Sequence, residues 1–88
     1  MKLYIDVTQE DIDNGVRRSP SRCMVKLSFD RATEGAFPEA RVTTRCIWIR
    51  QIEIDLSENV WRKIGWWDTG VQTRPFSFEV EIPEGLTG

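Results

Sequence analysis

The chain has 88 residues, twelve Lys and Arg against fourteen Asp and Glu, a net charge of −2 and no His. That length makes one domain, residues 1–88, with a thin core that buries about 60–65% of the unfolded chain's surface. The absence of imidazole excludes every His-dependent triad and zinc site, and no apolar run approaches the roughly 18 residues a membrane span requires.

Residues 2–7 alternate, with Leu3, Ile5 and Val7 on one side, the period of a half-buried strand. Thr8 with Asp11 three residues on resembles a capping box, so a short helical turn is expected up to Asn14-Gly15, with Gly15 as a left-handed cap. Residues 16–21 read as a polar loop, and Ser19 or Ser21 is expected to cap a helix with Pro20 in its first turn. From Arg22, the positions Cys23, Met24, Leu27 and Ala32 follow helical spacing, with Val25 and Phe29 beside them, until a stop near Glu34-Gly35. Residues 40–56 are rich in strand formers but too long for one ordinary strand. Two strands are expected there, about 40–45 and 47–55, with Trp48 in the core, Ile52 and Ile54 inward, and Glu53 and Asp55 outward. Ser57 is a good N-cap, and Val60, Ile64 and Trp67 form the apolar stripe of a helix that ends at Asp68-Thr69-Gly70. Phe76, Phe78, Val80 and Ile82 share one face of a last strand, and residues 83–88 are expected to fray. The expected fold is α+β: a small, mostly antiparallel sheet of about four strands with two helices packed on one face. The pairing of the first and last strands is left open by the pattern.

Charge is unevenly placed. Residues 1–13 carry −3, residues 14–50 carry eight cations against three acids (+5), and residues 51–88 carry −4. Nine of the twelve cations are Arg, whose planar fork suits bidentate contacts with carboxylate or phosphate. Arg17, Arg18 and Arg22 lie together before a helix start, a place that favours anions. The bland alternative is a solvated loop whose arginines pair with Asp11, Asp13 or Asp30. Trp67 belongs to the core stripe. Trp61 and Trp66, the latter beside Arg62 and Lys63, are less easily buried and mark a candidate interface, unless the thin core wraps round them.

The run Val7-Thr8-Gln9-Glu10-Asp11-Ile12-Asp13-Asn14-Gly15, then Cys23 before a helix with Arg31-Ala32, then Trp67-Asp68-Thr69-Gly70 and Arg74-Pro75-Phe76-Ser77-Phe78-Glu79, resembles a family of small uncharacterised bacteriophage proteins. The resemblance spans about residues 5–82 at scattered positions. Members often carry a Cys-x-x-Cys pair before a Pro-Val-Ala-Leu-Ala-like helix start. This chain has Pro20 in place of the first Cys and Met24-Val25-Lys26-Leu27 at the helix start, so a metal or redox role for that pair is not expected here. The resemblance implies a phage origin and the cytoplasm of a bacterial host, with no known activity.

Cys23 and Cys46 do not stand at a metal-ligand spacing, and residues 1–6 lack a signal-like apolar stretch. Both thiols are therefore expected to be reduced and packed as small apolar side chains, in a compartment that disfavours a disulfide. No phosphate-binding glycine loop occurs, and the i, i+2 acids Glu53/Asp55 and Glu79/Glu81 read as solubilising. No enzyme activity, cofactor or metal is expected. The leading expectation is a small phage protein that binds a host bacterial protein or ribonucleoprotein complex and modulates it, for example a defence system such as CRISPR–Cas. Its candidate contacts are Arg17, Arg18, Arg22, Trp61, Arg62 and Trp66. The alternatives are nucleic-acid binding through the basic middle, which the acidic balance disfavours, and self-association as a homodimer.

Overall fold

Residues 2–83 are described in a computed structural model; the end expected to fray lies, apart from Pro83, outside the described residues. Strand β1 (Lys2–Val7) pairs antiparallel with the last strand, β5 (Phe76–Glu81). Leu3 stands opposite Val80, Ile5 opposite Phe78 and Val7 opposite Phe76. Directly opposed residues share a face, so both apolar rows turn inward. Outside, the Ser77 hydroxyl donates to Asp6 Oδ1 at 2.8 Å.

Helix α1 (Gln9–Asn14) begins at the expected capping box. The Asp11 amide donates to Thr8 Oγ1 at 3.3 Å, and the Thr8 amide donates to Asp11 Oδ2 at 2.9 Å. The box is also the acceptor of a distant cation. Arg31, on α2, donates to Asp11 Oδ1 at 2.8 Å and Oδ2 at 2.7 Å, and to the Asp6 carbonyl at 2.7 Å. Burial pushes the Asp11 carboxyl up, but the hydrogen bonds from Arg31 and Thr8 outweigh it and hold the group below its ordinary value.

Gly15 is not a left-handed cap. Its φ is −69°, ordinary extended backbone. Its role is close approach: a Cβ there would lie 2.7 Å from the Met24 amide nitrogen and 2.9 Å from both the Asp11 carbonyl oxygen and Trp67 Cη2. Helix α2 (Met24–Ala32) is capped by neither expected serine but by Cys23, whose Sγ accepts from the Lys26 amide at 3.4 Å. The Ser19 carbonyl accepts from the amides of Arg22 and Cys23. This closes a tight turn around Pro20 and leaves Cys23 as the residue at the helix entrance. Met24, Val25 and Phe29 are buried as the spacing predicts, and so is Lys26, only 2% exposed, whose Nζ donates to Asp30 Oδ1 at 2.5 Å. Pairing is what makes a buried ammonium tolerable. Positive φ at Glu34 and Gly35 (54° and 76°) ends the element.

The β-rich segment forms three strands rather than two: β2 (Arg41–Val42), β3 (Cys46–Ile49) and β4 (Ile52–Asp55), antiparallel in that order. The first reversal is held by Thr43, whose hydroxyl accepts from the amides of Arg45 and Cys46. The second is the two-residue link Arg50-Gln51, with Arg50 at φ 58°. Neither carries the Gly or Pro that marks a turn in a sequence. Val42, Ile47, Ile49 and Ile54 are buried, whereas Trp48 is 37% exposed. Trp48 stands opposite Arg41 and Glu53 on the outer face, so the core position expected for it is wrong, and Ile52 is exposed as well.

Helix α3 (Glu58–Asp68) buries Val60, Ile64 and Trp67 as a stripe, and Ser57 takes the N-cap position without a side-chain cap bond. The α+β class is as expected. The strands, however, form a two-stranded and a three-stranded sheet instead of one, with three helices, around a single buried cluster that draws on both sheets and all helices.

Two outcomes test this packing. Gly15→Ala should destabilise by roughly 1–3 kcal/mol, because backbone atoms cannot give way to the new methyl; an unchanged thermal midpoint would contradict the close approach. Asp11, with its lowered folded value, contributes stability that is present above its unfolded pKa near 3.9 and disappears as pH falls through the folded one. Arg31 is half exposed and screened by solvent, so Asp11→Asn should cost about 1–2 kcal/mol at neutral pH, mostly through the cap. It should also make acid unfolding less steep in a pH-titrated denaturation series.

Candidate functional site

Trp67 fixes the arginine loop. Its indole is fully buried. Arg17 lies over the ring at 5.2 Å from the centroid, and its Nε donates to the Trp67 carbonyl at 2.6 Å. The next residue, Arg18, is held at φ 62°, where a non-glycine residue is strained; its amide donates to Asp68 Oδ1 at 2.9 Å. Further along, the Pro20 carbonyl accepts from the Val42 amide at 2.8 Å, and the Arg22 carbonyl accepts from the Val16 amide at 2.8 Å. The loop is thus tied to the end of α3 on one side and to β2 on the other.

A cleft of about 270 Å³ lies between these attachments. Arg18, Ser19, Pro20 and Cys23 form one wall, Val42, Thr43 and Thr44 a second, and Ile64 and Asp68 of α3 the third. Its surface combines hydroxyls and an arginine with an apolar lining. Burial pushes the Cys23 thiol up, away from the thiolate that a nucleophile requires. A second depression, about 340 Å³, is lined by Gln9, Ile12, Asp13, Arg17, Gly70, Gln72 and Thr73.

The three acids weighed as partners for the loop arginines are engaged elsewhere. Asp11 takes Arg31, Asp30 takes Lys26, and Asp13 accepts from Gln9 Nε2 at 2.9 Å. Among the described residues, Arg18, Arg22, Arg41 and Arg45 have no carboxylate partner. All four are exposed and belong to the two segments that the Val42–Pro20 bond joins.

The residues singled out from the sequence fall on different faces. Arg17 is spent on Trp67. Arg18 lines the cleft and Arg22 lies on the same loop. Trp61 is half-buried, with the Arg45 guanidinium 4.9 Å from its ring centroid, beside the β2–β3 turn. Trp66 is 54% exposed. Two residues apart on a helix point about 160° apart, so Trp66 faces away from Asp68 and the cleft. Arg62 shares its side and pairs with Glu58 at 3.2 Å. Sequence reasoning did not single out Arg41, Thr43, Thr44, Arg45 or Asp68 as site residues. The available signal was the absence of any acid over residues 40–52, matched by its absence over residues 14–29. On the outer face of β4, a hydrogen bond to Asp55, with smaller effects of burial and charge repulsion, raises the Glu53 carboxyl.

Comparison with family profiles, curated proteins and solved structures finds no match. Among the described residues, no helix is long and apolar enough to cross a membrane.

The two neighbouring tryptophans should separate in a denaturant series. Trp67→Ala should cost about 3–5 kcal/mol as a core truncation, and Trp66→Ala should stay within about 0.5 kcal/mol as a surface change. Equal losses at both positions would contradict the placement of Trp66.

Proposed function

We propose that the protein is a non-catalytic binding protein of bacteriophage origin that docks on a host bacterial protein or ribonucleoprotein complex in the host cytoplasm and inhibits it, a defence system such as CRISPR–Cas being one target of that kind. The phage and host parts of this reading rest on the resemblance of the Val7–Gly15 and Trp67–Glu79 motifs. The docking part is supported above all by one observation: Arg18 and Arg22 have no carboxylate partner among the described residues, while the acids nearest in sequence are taken by Arg31, Lys26 and Gln9. Guanidinium groups held on a tied-down loop lose little freedom when a partner arrives, and pre-organisation of this kind favours specific association. A few anchors of this type, with Trp66 on a second face, are enough for a small domain to form a specific interface.

Affinity capture from a bacterial host lysate tests the reading. The wild-type chain should retain a defined host protein or complex, and the Arg18→Gln/Arg22→Gln pair should lose it with the fold intact by circular dichroism. Failure to retain any partner, or retention that the double variant leaves unchanged, would remove the proposal. The exposed Trp66 favours a second reading, self-association through an isologous contact; a monomer in light scattering at high concentration would eliminate it.

A further inference from the structure

We infer that the cleft between the arginine loop and the β2–β3 turn receives an acidic side chain, Asp or Glu, from a short segment of the partner protein. This deepens the proposed function and rests on it for the existence of a protein partner.

The argument is one of charge and donors. Two stretches without a single acid, residues 14–29 and 40–52, are separate in sequence and adjacent in space, joined by the 2.8 Å bond from the Val42 amide to the Pro20 carbonyl. Arg18 lines the cleft, and Arg22, Arg41 and Arg45 lie on the same two stretches; none of the four has a carboxylate partner among the described residues. The Ser19, Thr43 and Thr44 side chains on the cleft walls add hydroxyl groups that can donate to a carboxylate. An anion entering there meets the Arg18 guanidinium as a charge-assisted donor in a partly desolvated setting, where such a bond is strongest.

The surroundings decide between a local acid and a polyanion. Asp68, the acid on the cleft wall, already accepts from the Arg18 amide, and the chain as a whole is acidic, with −3 over residues 1–13 and −4 over residues 51–88. A nucleic-acid strand binds through many phosphates, which this acidic balance disfavours, whereas a partner's acidic side chain needs complementarity only over the patch itself. The strained Arg18 backbone fits the same role. Its positive φ is maintained by the bond to Asp68, which fixes where the side chain leaves the loop.

The test uses the whole chain, isotopically labelled, titrated at low salt with a short oligoglutamate peptide and, in parallel, with single-stranded oligothymidylate. Oligoglutamate should shift the amide signals of Ser19, Thr43, Thr44 and Ile64 in particular. Arg18→Gln should weaken binding about tenfold, the loss expected for one charge-assisted contact. Arg74→Gln, which removes an equally unpaired arginine outside the cleft, should bind as wild type. Equal weakening by the two variants would show diffuse attraction and overturn the inference. So would shifts centred elsewhere, no binding at low salt, or tighter occupation of the cleft by oligothymidylate. The readout needs no host protein. A failed lysate capture with specific oligoglutamate binding therefore sinks the proposed function alone, and a successful capture with no peptide binding sinks the cleft alone.

Discussion

The contact of Arg17 with Trp67 is the constraint on which the rest of the surface depends. Trp67 closes the core from α3, and its ring edge sits where only a glycine at position 15 leaves room. Arg17 then covers the ring face and donates to the carbonyl of the same residue. One side chain thus supplies cation–π attraction and satisfies a backbone acceptor near a helix end, where the last carbonyls lack partners within the helix. The arrangement has a cost: the Trp67 Nε1 group is buried without a hydrogen-bond partner among the described residues, a penalty of about 1–3 kcal/mol. Burial of the largest side chain in the core outweighs it.

From that contact the geometry of the cleft follows. Arg17 is engaged by Trp67, and Arg18, the next residue, takes a positive φ and lines the cleft. Asp68, one residue after Trp67, catches the Arg18 amide. On α1 and α2, Asp11 and Asp30 already serve Arg31 and Lys26 and not the arginines of the loop. Electrostatic pairing within the fold therefore leaves Arg18, Arg22, Arg41 and Arg45 without carboxylate partners among the described residues, in a protein whose net charge is negative.

Parts of this were legible in the chain. Leu3, Ile5 and Val7, the Thr8–Asp11 box, and the Val60–Ile64–Trp67 stripe each have a local cause, a period or a cap acting over a few residues. The split of residues 40–56 was not legible, because its turns depend on Thr43 and Arg50 rather than on Gly or Pro. Trp48 was misplaced because apolar content says nothing about which side of a strand faces out. Cross-strand neighbours decide that, and Arg41 and Glu53 are outside. The cap of α2 was missed because the Ser19 turn consumes the segment in which a serine would have served.

Local periodicity and composition by themselves determined the α+β class, the inward rows of β1, β5 and α3, and the lack of any imidazole chemistry, since each follows from residue identity at short spacing. Tertiary structure alone decided that the two ends of the chain pair, that the strands divide into two sheets, and which acids neutralise which cations. Those outcomes depend on contacts between residues many positions apart, such as Asp11 with Arg31 and Val42 with Pro20, and no local pattern encodes which distant partner arrives first at a given carboxylate or carbonyl.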